Sequence, residues 1–137
     1  MAAPLDLLRS IPLFAGIDDK HLKRIADSFS DRSFTAGQEL VVEGSGGVGF
    51  FVIETGSARV TVEGEPRTEL GPGDYFGEIA LIDGGSRTAT VTAVTDGKMH
   101  GMTSWQFRPL VEDNASIAWP LLEAMARRTR ELEQHRS

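Results

Sequence analysis

Between Arg32 and Thr103 the chain consists of short runs rich in Val, Thr, Phe and Ile, interrupted by glycines at 37, 44, 56, 64, 71, 73 and 97. "RSFTAGQELVVEG", "GFFVIETGSARVTVEG", "PRTELGPGDYFGE" and "RTATVTAVTDGKMHGMT" read as strands separated by turns. Many short strands with frequent glycine turns fold as a barrel or a two-sheet jelly roll. The Asp96-Gly97 step in "TDGK" predicts a tight hairpin, because Asp-Gly supplies the positive φ that such turns need.

Helical periodicity brackets this block. Residues 3–29 read as helical, with Asp18 capping a helix in which Leu22, Ile25, Ala26 and Phe29 recur at helical spacing. Pro12 and Gly16 separate it from a shorter helix near Leu5–Arg9. After the strands, "TSWQFRPLVEDN" reads as one helix with Pro109 in its course. Asn114 then caps "ASIAWPLLEAMARRTRELEQ", where Ala118, Leu122, Met125, Thr129 and Leu132 form a heptad seam. Pro120 is expected to kink this helix or to mark its effective start. Helices, then strands, then helices is an α+β order. The expected layout is one domain over 1–137: N-terminal helices over 1–30, a jelly roll over 31–102 and C-terminal hinge or lid helices over 103–137.

Composition removes several function classes. A chain of 137 residues suits one domain with a real core. The absence of cysteine excludes disulfides, thiolate metal sites and a cysteine nucleophile. Asp and Glu total 20 against 14 Lys and Arg, a net charge of −6, which argues against gripping nucleic acid by charge. The run "RRTR" at 127–130 is flanked by acidic residues and reads as a solvated helix face. "MAAPLDLLRS" has neither a basic n-region nor a long apolar run, and no stretch approaches the ~18 apolar residues of a membrane span. A cytoplasmic protein without a membrane partner is expected. Eleven Arg against three Lys point to a GC-rich bacterial genome.

The chemistry concentrates in "FGEIALIDGGSRTATV", residues 76–91. Arg87, at a strand entrance, suits a bidentate contact to phosphate or carboxylate, or is a plain surface arginine. Gly77 followed by a helical turn exposes backbone N–H groups that bind anions, or it merely closes a strand. Glu78 would be repelled by a phosphate. It either salt-bridges Arg87 or accepts a hydrogen bond from a sugar hydroxyl beside the phosphate. The triphosphate pattern GxxxxGK[ST] is absent. A small nucleotide with one phosphate charge and an adjacent hydroxyl fits all three elements.

The same stretch resembles the phosphate-binding cassette of cyclic nucleotide-binding domains, roughly F-G-E-[LIV]-A-L, a turn, then R-[ST/A]-A-[ST]-V. Phe76, Gly77, Glu78, Ile79, Ala80, Leu81, Arg87, Thr88, Ala89, Thr90 and Val91 match it. The likeness extends to "PLFAGIDDKHLKRIA", "TAGQELVVEG", "FFVIETGSARV", "LGPGDYFGE" and "LLEAMARRTRELE", as in catabolite activator-like sensor domains. It implies an eight-stranded β jelly roll (a double-stranded β-helix) with helices at both ends. It further implies that Glu78 takes the ribose 2′-hydroxyl and that Arg87 pairs with the cyclic phosphate. Backbone groups around Ile79 and Ala80, with Ala89, complete the cradle. Thr88 adds a hydroxyl contact, to the phosphate or to a guanine amino group. The ligand implied is cyclic AMP, with cyclic GMP as the alternative. The chain departs from the activator pattern where a Thr-Ser pair on the long helix reads adenine; Leu132–Glu133 stands at the equivalent place. The activator's helix-turn-helix domain would follow Ser137, so no DNA-binding role is assigned to this chain.

The expected function is therefore a sensory module without catalytic residues, metal or cofactor, read by an unidentified output partner. A weak homodimer through 118–132, or a lid, accounts for the seam of the last helix. Trp105 and Trp119 are read as core residues, with a lid over the base as the alternative. An enzyme of the metal-dependent cupin kind would need converging histidines. His21, His100 and His135 read instead as exposed or helix-end residues, with no His-x-His pair. A Ser-His-Asp constellation stays open, although "EGSGG" is a loop rather than a nucleophile elbow. A degenerate scaffold that has lost its ligand is the third reading.

Overall fold

The computed structural model describes residues 3–42, 44, 49–77 and 89–136. Helix α1 (Leu5–Arg9), a 3-10 turn (Pro12–Phe14) and α2 (Asp19–Asp27) open the chain. Asp18 caps α2 as its sequence predicts, accepting the His21 backbone N–H at 2.9 Å. Eight strands follow among the described residues: β1 (Ser30–Phe34), β2 (Glu39–Val41), β3 (Gly49–Thr55), β4 (Ala58–Val62), β5 (Glu65–Leu70), β6 (Tyr75–Phe76), β7 (Thr90–Ala93) and β8 (Gly97–Thr103). Helices α3 (Ser104–Asp113) and α4 (Ala115–Arg136) close the chain. A reciprocal capping box starts α3: the Thr103 hydroxyl accepts the Gln106 N–H, and the Gln106 side chain accepts the Thr103 N–H.

The strands form two antiparallel four-stranded sheets, ordered β1-β8-β3-β6 and β2-β7-β4-β5, the jelly roll expected from the sequence. The tight hairpin lies between β4 and β5, where Glu63 (φ 52) and Gly64 (φ 80) both take positive φ. Asp96-Gly97 does not form the predicted hairpin. It joins β7 of one sheet to β8 of the other. The chain also changes sheets between β3 and β4, at Gly56, and the two crossings touch: a Cβ on Gly56 would lie 2.9 Å from Gly97 Cα and 2.6 Å from the Asp96 carbonyl oxygen. Gly97 serves close approach here rather than a hairpin.

Alternation along β3 divides the core in two. Phe50 and Val52 face the helices, where Phe14, Leu22, Ile25, Phe29, Met102, Phe107, Ile117 and Leu121 bury them. Ile53 faces the barrel lumen with Phe34, Ala58, Phe76, Val91, Ala93 and Met99. The helix-side cluster is aromatic, Phe50 meeting Phe14 edge-on at 5.8 Å and Phe29 at 6.0 Å.

The C-terminal helices depart from their sequence reading. Ile117, Leu121 and Ala124 are the buried stripe of α4, whereas Leu122 and Leu132 of the heptad seam are 60% and 58% exposed. The apolar surface of α4 is wider than the body covers, so two adjacent stripes carry the same spacing. Trp105 and Trp119, read as core, are 71% and 66% exposed because they fall off the packed stripe. Pro120 lies inside α4 rather than at its start, against the 3-10 turn: a Cβ on Gly16 would lie 3.2 Å from Pro120 Cβ. Asn114 spends its side chain between elements, accepting from Arg24 at 3.2 Å and donating to the Leu110 carbonyl at 2.8 Å. Its carbonyl accepts the Ile117 N–H at 2.9 Å.

Candidate functional site

Among the described residues, β6 is a two-residue edge strand paired with β3, with Phe76 opposite Phe51 and Tyr75 opposite Val52. Gly77 follows at φ 89, in the left-handed region that favours glycine. At the other end of the stretch, Ala89 is half-buried and leads into β7, where Thr90 pairs with Thr61 and Val91 with Val60. The structure thus places the two ends of 77–89 on different sheets. Glu78, Ile79, Ala80, Arg87 and Thr88 lie outside the described residues. Beside these ends, the lumen carries apolar side chains that are only partly covered: Leu40, Val41, Phe51, Val60 and Leu70. A partly covered apolar wall suits a flat ring with polar groups at its edge.

Helix α4 approaches the same place. Ala124, Arg127, Arg128 and Glu131 face Pro12, Leu70, Asp74 and Tyr75 across an open groove of about 450 Å³. Arg128 continues the stripe of Ile117, Leu121 and Ala124 and is half-buried, while Arg127 and Arg130 are exposed. Tyr75, two residues before Gly77, packs on Phe50 at 5.9 Å. Tyr75 and Arg128 are the residues sequence reasoning missed. The four- and three-residue spacing back to Ala124 and Leu121 was the available signal for Arg128.

The histidines are not uniformly exposed. His100 is 2% exposed on β8, and its Nε2 lies 2.5 Å from Glu54 Oε1. Its Nδ1 lies 3.0 Å from Asp31 Oδ1 but out of line, so that buried nitrogen has no hydrogen-bond partner. Strand parity turns His100 to the Val52 face, and the carboxylates come from β3 and β1. His21 bridges two helices: Nδ1 meets Asp18 Oδ1 at 2.8 Å and Nε2 meets Ser116 Oγ at 3.3 Å. This is the Ser-His-Asp set left open by the sequence. Its carboxylate already caps α2 through the His21 backbone N–H, and its serine sits in the first turn of α4. The set ties α2 to α4. The Asp18 carboxyl is held below its ordinary value by the backbone N–H and then the ring of His21. Among the described residues, no group of three His, Asp or Glu side chains is placed to hold a metal ion. Among them, too, no helix is long and apolar enough to cross a membrane.

Comparison with known proteins matches residues 31–114 to the cyclic nucleotide-binding domain family. A cAMP-dependent protein kinase regulatory subunit from Eremothecium gossypii is 36% identical over 107 residues, which is 77% of this chain and 23% of that protein. The chain thus spans under a quarter of the curated relatives it matches. Among solved structures, the N-terminal domain of a transcriptional regulator from Streptomyces coelicolor superposes with a TM-score of 0.87 at 31% identity, covering 96% of each chain. The regulatory domain of Toxoplasma gondii PKA, crystallised with cAMP, gives 0.72 at 30% identity, covering 80% of this chain and 43% of that one.

Proposed function

The chain belongs to the cyclic nucleotide-binding domain family, and from that premise we propose that it senses cyclic AMP and passes the signal on through its last helix. The observation that carries this reading is the groove in which α4 meets Asp74 and Tyr75, the residues that run into Gly77. A ligand held beside Gly77 that moves Asp74 and Tyr75 changes what Ala124 and Arg128 face. It then shifts α4 by its differential affinity for the two arrangements, typically ~1–3 kcal/mol. Cyclic AMP is favoured over cyclic GMP because a relative at 30% identity was crystallised with it. In this reading Arg87 takes the cyclic phosphate and Glu78 the ribose 2′-hydroxyl. Gly77, Ile79, Ala80, Thr88 and Ala89 complete the cradle. The module works in the cytoplasm by binding alone, with no catalysed reaction, and hands the signal to an output partner. Calorimetric titration with both nucleotides tests it: tighter binding of cyclic AMP is expected. Binding of neither removes the sensing role and leaves a scaffold.

The same reading includes a weak homodimer through 118–132. Leu122 and Leu132 are largely exposed and Met125 is half-buried, so the outer stripe of α4 is free to meet a second copy. Sedimentation of the protein with and without cyclic AMP should show monomer and dimer in exchange. Met125→Glu with Leu132→Glu should give monomer alone. A parent protein that stays monomeric at high concentration in both conditions sinks the dimer.

A further inference from the structure

Gly49 opens strand β3 and Gly101 sits inside β8, and neither has the positive φ that would call for glycine. What excludes a side chain there is one ring. A Cβ on Gly49 would lie 2.6 Å from Phe51 Cζ, and a Cβ on Gly101 would lie 2.6 Å from Phe51 Cε1. The two glycines form a slot in which the Phe51 ring lies flat along the sheet. On one side Phe51 is opposite Gly101, and on the other it is opposite Phe76. The Phe51 and Phe76 rings stack with centroids 5.3 Å apart and planes inclined by 34°. The Arg32 guanidinium lies over the Phe51 ring, 5.8 Å from its centroid.

Phe76 ends an edge strand of two residues; among the described residues the backbone hydrogen bonds from Ile53 to Asp74 and from Gly73 to Ile53 fix where that pairing begins rather than where it stops. Its side-chain stack on Phe51 supplies the missing constraint, and the next residue is Gly77. We infer that the slot made by Gly49 and Gly101 is a positioning device for the ligand site. By fixing the Phe51 ring it fixes Phe76, the position of Gly77, and the Phe51 part of the partly covered lumen wall. This rests on the cyclic nucleotide reading. A ring covering a strand glycine also serves plain packing. The two roles differ in what a methyl group in the slot changes.

The test is a double-mutant cycle read by cyclic AMP titration of protein that circular dichroism shows to be folded. Gly101→Ala pushes the ring from its slot and is expected to weaken binding about tenfold, equivalent to ~1.4 kcal/mol. Phe51→Leu removes the ring tip that fills the slot. In that background the added Gly101→Ala should change affinity little, because the methyl group has nothing left to displace. Gly49→Ala takes the place of Gly101→Ala if the latter does not fold. Additive effects, or an alanine variant that binds as the parent does, overturn the inference. A second reading needs no ligand: Gly101→Ala should move the Phe76 and Gly77 amide resonances in an NMR spectrum, and unmoved resonances overturn the inference equally. A parent protein that binds neither nucleotide defeats the sensing role instead, and the amide resonances then judge the slot by itself.

Discussion

The two faces of the sheet β1-β8-β3-β6 bury apolar residues to different degrees. On the helix side Phe14, Leu22, Ile25, Phe50, Val52 and Ile117 are fully dry, and aromatic rings meet edge-on. Among the described residues the lumen side has fewer buried side chains, and Leu40, Val41, Phe51, Val60 and Leu70 make up a larger share of it than Leu5, Leu7, Tyr75, Leu110, Val111 and Met125 do of the helix side. One sheet thus separates a more closed core from a more open one, among the described residues. The more closed core contributes more stability, and the more open one leaves a larger share of apolar surface for something else to cover. The helix side should therefore govern unfolding, and the lumen end should govern binding.

The hardest test of that division is a large cut on the helix side. Phe29→Ala should lower the unfolding free energy by ~3–5 kcal/mol, as for other buried Phe truncations. The protein that remains folded should bind cyclic AMP as the parent does, and an equal loss in both quantities breaks the division. Next comes the converse. Arg87→Ala should weaken cyclic AMP binding by ~2–5 kcal/mol, the range for removing one partner of a buried charge pair, with the melting temperature of ligand-free protein unchanged. Arg87→Lys should also bind poorly, since a point charge does not reproduce the guanidinium fork. A smaller effect sharpens the lumen end. Glu78→Gln should weaken binding by ~1–3 kcal/mol and should lose most of the parent's discrimination against a 2′-deoxy cyclic nucleotide. Equal discrimination by both proteins returns Glu78 to a salt bridge with Arg87.

The smallest effect belongs to the helix side and is read by pH. The folded Asp18 carboxyl titrates below its ordinary value of 3.8. Its contribution to the folded state's stability is thus fully present above the unfolded chain's value and is lost as pH falls through the lower folded value. Asp18→Asn should flatten the pH dependence of unfolding below about pH 4. The site is exposed, so the change should be slight, and identical acid profiles for parent and variant remove the cap's electrostatic share.

What the sequence disclosed follows the range of the interactions involved. The Asp18 cap is legible because donor and acceptor are three residues apart. The strand block is legible because glycines and β-branched runs are local. Asp96-Gly97 misleads because the same dipeptide suits a hairpin or a corner, and only the remote contact with Gly56 decides. His100 misleads because its burial depends on strand parity and on Asp31 and Glu54, far away in sequence. In α4, the stripe of Ile117, Leu121 and Ala124 and the stripe of Ala118, Leu122 and Met125 share one period. Which one packs is set by the surface the body presents. The 76–91 motif is legible as a resemblance, and the structure adds where its described ends lie, Gly77 after β6 and Ala89 before β7.

Pairing of β1 with β8 has a consequence for how the protein is made. Strand β1 precedes the other described strands and lies at the edge of their sheet, with β8, the last of them in chain order, as its described neighbour. At the ~5–20 residues per second of translation, β1 waits on the order of seconds for that neighbour to leave the ribosome. During that wait its backbone groups are open to any other unpaired strand. The exposed run Ser30, Asp31, Arg32 and Ser33, with both charges in its middle, makes β1 a poor template for a neighbouring nascent chain.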